Sequence, residues 1–199
     1  MSLDRSFAEK WINILGDKLD AIPSASYLWE CAQDAVAQND IKLIKKYENL
    51  LYLLHNSHIS PYCKLGKGVK FGYGGIGTVV HKNVVVGDGV SIGQNVTIGG
   101  TSGKSAYTKE GKPYSVPIIE SHVYIAPGAK IIGPVTIESY SIVGVNAVVT
   151  KSFGKCSFIG GVPARLLSRI NKNDCRKYRA LFPLLVNLTD GEYNSLFEE

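Results

Sequence analysis

The segments VVHKNVVVGDGVSIGQNVTIGG (Val79–Gly100) and IIESHVYIAPGAKIIGPVTIESYSIVGVNAVV (Ile118–Val149) decide the fold, because each repeats itself every six residues. Aliphatic residues stand at Val80, Val86, Ile92 and Ile98, then at Ile119, Ile125, Ile131, Ile137, Val143 and Val149. Four places after most of them comes a small or β-branched residue: Val84, Val90, Val96, Val123, Ala129, Val135, Ser141, Ala147. An α-helix puts residues six apart on nearly opposite faces, and a long strand shows period two. A six-residue step of apolar residue, turn and small residue is the mark of a parallel β-helix. Each hexad supplies one short strand and one turn, and three hexads close a coil of roughly 18 residues. One coil cannot bury its own apolar corners, so coils must stack.

Working outward, the step also covers Ile59, Leu65 and Phe71, and Cys63 takes the small interior slot after Ile59. Between Phe71 and Val80 the spacing is nine, so Gly72–Gly77 holds a three-residue excess in which four of six residues are glycine. Such a turn permits unusual backbone shapes or the close approach of a ligand. A larger break, GGTSGKSAYTKEGKPYSVP (99–117), lacks apolar periodicity and predicts a loop that leaves the prism. Long loops on rigid scaffolds are disproportionately functional.

Residues 1–56 read as a helical region. Trp11, Ile12, Ile14, Leu15 and Leu19 recur at helical spacing until Pro23. Ser24 or Ser26 is positioned to cap a second helix, and Asn39 or Asp40 a third. The β-helix is expected over 57–165. The remainder, 166–199, is expected to form a helical tail, with a basic helix from about Leu166 interrupted near Asn171–Asp174 and broken again at Pro183 and Gly191.

Composition narrows the classes of function. The net charge of +5 is modest, and no Lys/Arg stripe is interleaved with aromatics, which argues against nucleic acid. Cys31, Cys63, Cys156 and Cys175 form no CxxC pair, so neither a zinc site nor a redox motif is expected. Widely spaced reduced thiols, no signal-peptide pattern and no apolar run of membrane-spanning length predict a cytoplasmic protein.

Three motifs carry a resemblance: Val96-Thr97-Ile98-Gly99-Gly100-Thr101, Gly128-Ala129-Lys130-Ile131-Ile132-Gly133 and Gly160-Gly161-Val162-Pro163-Ala164-Arg165. With these the sequence resembles the hexapeptide-repeat acyltransferases, in the branch of serine acetyltransferases and polysaccharide O-acetyltransferases. The resemblance spans about residues 59–168. It implies a left-handed β-helix, a homotrimer, and acetyl-CoA lying between neighbouring prisms. It also implies pantetheine contacts from Gly99-Gly100-Thr101, Ala126-Pro127 and Gly144-Val145, with Lys151 and Arg165 near the nucleotide phosphates. Serine acetyltransferases carry an Asp-His pair where this chain has Tyr73-Gly74, and a second histidine where it has Val116. Those departures, with the motif GYGGIGTVVHKN, point the expectation toward a saccharide hydroxyl in surface polysaccharide biosynthesis. Serine acetylation and a non-catalytic assembly module stand as the alternatives.

Acetyl transfer from a thioester to an alcohol needs a base, and imidazole titrates near working pH. The developing oxyanion needs donors, often backbone N–H groups. Of four histidines, His81 follows the inward Val80 and should project from a prism corner, which makes it the first candidate. His122, just after the loop, is the second. Asp88 and Glu120 are candidates to orient the His81 ring. His55 and His58 flank the join of helices and prism and read as polar caps. Only His122 falls in 117–122, where the metal site of β-helical carbonic anhydrases would need two histidines, so no metal is expected.

Overall fold

The computed structural model describes residues 22–108 and 110–197. Two helices lead: α1 (Ala25–Ala37) and α2 (Ile41–His55). The Ser24 hydroxyl accepts from the Tyr27 N–H and caps α1; the Asp40 carboxylate accepts from the Leu43 N–H and caps α2. Asn56, in the left-handed conformation, ends α2. The helix expected around Trp11–Leu19 lies outside the described residues.

The prism follows. Face 1 holds β1 (His58–Ile59), β4 (Val79–Val80), β7 (Thr97–Gly99), β12 (Lys130–Ile132) and β15 (Val148–Val149). Face 2 holds β2 (Lys64–Leu65), β5 (Val85–Val86), β10 (Ile118–Ile119) and β13 (Thr136–Ile137). Face 3 holds β3 (Lys70–Phe71), β6 (Ser91–Ile92), β11 (Tyr124–Ile125), β14 (Ile142–Val143), β16 (Ser157–Gly160) and β17 (Arg165–Arg169). The chain visits the faces in rotation, and every pairing except that of β17 is parallel on these three sheets.

Register explains the hexads. Val80 pairs with Ile98, and Ile131 with Val149, each one coil of 18 residues on. Where the spacing departs from 18, the surplus is at an edge: Ile59 pairs with Val80 across the glycine-rich turn, and Val86 with Ile119 across the loop. All ten inward aliphatics from Val80 to Val149 are at most 2% exposed, as are Val84, Val90, Val96, Val123, Ala129, Val135, Ser141 and Ala147. Cys63 joins them, and burial pushes its thiol up to about 12.

Two segments differ from the sequence reading. The loop 99–117 carries a small antiparallel hairpin, β8 (Ala106–Tyr107) with β9 (Pro113–Tyr114). The stretch from Leu166 is not helical: β17 turns back and pairs antiparallel with β16, covering the open edge of face 3. Helical turns come later, at Cys175–Leu181 and in α3 (Asp190–Ser195), whose Thr189–Glu192 capping box brings Gly191 inside the helix rather than at a break. This C-terminal segment builds a second core on the outside of face 3, with Phe182, Leu185, Tyr193 and Phe197 around Ile142. No described helix is long and apolar enough to cross a membrane.

Because Ile131 lies in the middle of the column, Ile131→Ala should cost about 2–5 kcal/mol of folding stability. Urea denaturation of the purified protein checks it; loss of less than about 1 kcal/mol would mean that the column is not close-packed.

Candidate active site

Three edges join the three faces, and the candidate residues are distributed among them. On the edge between faces 1 and 2, His81 follows β4, Gly99 ends β7 with Gly100 after it, and Lys151 follows β15. They form a line down the prism, one strand spacing of about 4.8 Å apart per coil. Thr101 continues from Gly100 into the loop, which leaves from this same edge and returns at Pro117.

His81 is half-buried and lines two adjoining grooves. One, of about 400 Å³, runs toward face 1 and α2, with Glu48, His58, Tyr62, Lys82 and Gly99 in its walls. The other, of about 300 Å³, lies under the loop base between Thr101 and Val116. Nothing stands within 4 Å of where a side chain on Gly99 would begin, so its backbone is open to the groove. Gly100 is crowded on its loop side, where a Cβ would approach Ser115 O to 3.0 Å.

His81 Nδ1 accepts a hydrogen bond from the Asn83 N–H at 3.2 Å. In that arrangement the neutral ring carries its proton on Nε2 and presents a donor. Asp88 and Glu120 are not its orienting partners. Both are on the edge between faces 2 and 3, where Asp88 accepts from the Lys67 N–H at 2.7 Å and Glu120 from the Ser139 N–H at 3.0 Å. Glu138 does the same for the Lys155 N–H, so these carboxylates satisfy turn donors coil after coil.

His122 is on that second edge, away from His81. Its backbone is left-handed, its ring stacks on Tyr140 at 5.4 Å, and Nδ1 is buried without a hydrogen-bond partner. Tyr140 in turn meets Phe197 edge-on. Desolvation holds the His122 imidazole below its ordinary value of 6.5, against the pull of the Asp88 carboxylate. Its ring packs under the C-terminal segment through Tyr140.

Ala126-Pro127 and Gly144-Val145 follow β11 and β14, on the third edge, between faces 3 and 1. Arg165 opens β17 and donates to the neighbouring Ala164 carbonyl at 3.0 Å. A single prism therefore separates them from His81 and Gly99 by the width of face 1. Sequence reasoning placed His55 and His58 together as caps. Instead His55 is buried, its Nε2 2.8 Å from Pro23 O, while His58 opens onto the His81 groove. His55 also explains the glycine-rich turn: a Cβ on Gly74 (φ +72) would come within 3.2 Å of the His55 ring, and one on Gly75 within 2.6 Å of Ala25. That turn is shaped by the chain's own helices. Among the described residues, no group of His, Cys, Asp and Glu is placed to hold a metal ion.

No family model matches the chain. It is 33% identical over 143 residues to a serine acetyltransferase of Haemophilus influenzae, across 72% of this chain and 48% of that one. The chain thus spans about half the length of the curated relatives it matches. A solved serine acetyltransferase in complex with cysteine superposes with a TM-score of 0.66 at 28% identity, covering 81% of this chain and 57% of that one. A serine acetyltransferase from Brucella abortus strain S19 in complex with coenzyme A gives a TM-score of 0.66 at 28% identity, covering 74% and 56%. The prism is the left-handed parallel β-helix of these neighbours.

A histidine held below its ordinary value costs stability when it is forced to charge. The fold should lose stability as pH falls below about 6.5 toward the lowered His122 value, and level off beneath it. His122→Phe, which keeps the ring stack, should flatten that part of the slope when denaturant midpoints are compared between pH 7 and pH 5. An unchanged slope would assign it to other groups.

Proposed function

Since the chain belongs to the hexapeptide-repeat acyltransferase family, we propose that it transfers an acetyl group from acetyl-CoA to a hydroxyl group. The observation that carries this reading is the edge between faces 1 and 2, where an imidazole and an open glycine backbone share one groove. Acetyl-CoA as co-substrate fits the residues present. Gly99 allows close backbone approach, and Lys151, exposed two coils further on, supplies a cation for the phosphates. His81 takes the proton of the acceptor hydroxyl as its oxygen bonds to the acyl carbon, and returns it to the departing sulfur.

The separation of the candidate contacts supports a homotrimer. The two edges bearing Gly99 and Val145 flank face 1, so a second copy laid against that face brings one edge beside the other. Exposed Ile76, Val145 and Val162 on the third edge, and Val79 on face 1, are the apolar surface such a contact would cover. A cytoplasmic setting suits four cysteines that are all free thiols.

For the acceptor, the relatives' shared name favours the serine hydroxyl over the saccharide expected from the turn Gly72–Gly77. Tyr73 and Gly74, which leave that turn without a charged or imidazole side chain, favour a saccharide as the second reading. Thiol release from acetyl-CoA with each acceptor decides between them. Release with neither, together with no binding of acetyl-CoA, would leave a non-catalytic assembly module.

His81→Ala should lower turnover by about 10²–10⁴ while acetyl-CoA still binds. Steady-state thiol release and calorimetry on the same preparation check it, and full retained turnover would remove His81 from the mechanism.

A further inference from the structure

The hairpin β8–β9 folds back over face 2 and encloses a groove of about 350 Å³ between itself and the prism. Register sets the floor of this groove. Ile118 pairs with Thr136, and Ile137 bridges to Phe153. The outward side chains of Ile118, Thr136 and Ser152 therefore follow one another at one strand spacing, about 4.8 Å. Glu120 and Glu138, next after the inward Ile119 and Ile137, form a second row at the same spacing of about 4.8 Å. The roof is tied down by Tyr114, whose hydroxyl is 3.3 Å from Thr136 Oγ1, with Tyr107 on the opposite strand of the hairpin. The two rows are fixed by backbone bonds. Ser152 Oγ accepts from the Thr136 N–H at 2.9 Å, Glu120 Oε2 from the Ser139 N–H at 3.0 Å and Glu138 Oε2 from the Lys155 N–H at 3.1 Å. No residue lining this groove lines either groove at His81.

We infer that the groove under the hairpin is a binding site for a pyranose unit of a neutral saccharide, separate from the transfer site. A pyranose has an apolar C–H face and a rim of hydroxyl groups, and the groove holds a counterpart to each. Tyr107, Tyr114 and Ile118 supply apolar surface, two of them as flat rings. Glu120 and Glu138 accept from hydroxyl donors through charge-assisted bonds, the stronger kind. The hydroxyls of Thr136, Ser152 and Tyr114 both donate and accept, as those of a sugar do. A few fixed polar groups on a largely apolar wall are the general form of a small-molecule site, and about 350 Å³ is at the small end of the range. An ammonium compound suits the groove less well. It only donates, so it uses the carboxylates and gives the hydroxyls no acceptor, and a net charge of +5 does not draw cations in. The saccharide is a ligand here and not the acceptor, so the site stands whichever hydroxyl is acetylated at His81.

Saturation-transfer NMR and calorimetry on the full chain test the site. The probes are methyl β-D-glucoside, methyl β-D-galactoside and N-acetylglucosamine, with putrescine as the cationic control. At least one sugar should bind with a Kd of about 1 mM, and putrescine should not bind. Tyr107 is 71% exposed, so Tyr107→Ala removes one side of the groove with little cost to folding. Glu120→Gln keeps an amide oxygen for the Ser139 N–H while losing the charge. Each variant should weaken sugar binding about tenfold, with an unchanged urea midpoint showing that it is folded. Sugar binding that depends on Tyr107 and Glu120, without thiol release toward any acceptor, supports the site and overturns the acetyl-transfer reading instead. Binding of none of the sugars, binding of putrescine in their place, or sugar binding untouched by both variants overturns the site and leaves acetyl transfer standing.

Discussion

Each inward side chain of the prism must fill the space above its counterpart one coil earlier, and the rest of the structure follows from that constraint. Val80 stacks toward Ile98, and Ile98 toward Ile131 and Val149, through successive parallel pairings on face 1. An extra residue inside a strand would move a whole column out of register. Insertions are therefore tolerated only at edges, and the two observed ones, Gly72–Gly77 and the loop 99–117, are both there. The scaffold is rigid along its axis, and its chemistry has to be written on its corners.

The three corners carry different work. Between faces 2 and 3, the carboxylates of Asp88, Glu120 and Glu138 satisfy turn N–H groups, and the C-terminal segment seals the face behind them. Between faces 3 and 1, Asn95 and Asn146 stack beneath the left-handed glycines Gly77 and Gly128, where a Cβ would meet the amide oxygen at 2.0 and 1.9 Å. Among the described residues, the corner between faces 1 and 2 is where an imidazole and open backbone face a groove.

The interior was legible residue by residue, since burial by stacked coils imposes a period that no other architecture shares. The caps were legible to within a pair of candidates each, Ser24 or Ser26 and Asn39 or Asp40, and the structure uses Ser24 and Asp40, whose side-chain oxygens reach an N–H three residues on. What the sequence hid depended on contacts between distant segments. The stretch from Leu166 reads as basic and helical, but the open edge of β16 draws it into a strand. His122 stood as the second candidate because it lies just after the loop, and the ring stack with Tyr140 and the contact of Tyr140 with Phe197 depend on coils and tail farther along the chain. Asp88 lies close to His81 in sequence yet belongs, with Glu120 and His122, to another corner.

At the centre of the account is an imidazole on one corner of a rigid prism, meeting a thioester in a cleft that two copies share. A crystal structure of the protein soaked with coenzyme A tests this most directly. The account predicts the sulfur within hydrogen-bond reach of the His81 ring, with Gly99 of one copy and Val145 of another along the bound arm. Coenzyme A bound along the His122 corner, or held wholly by a single copy, would contradict it.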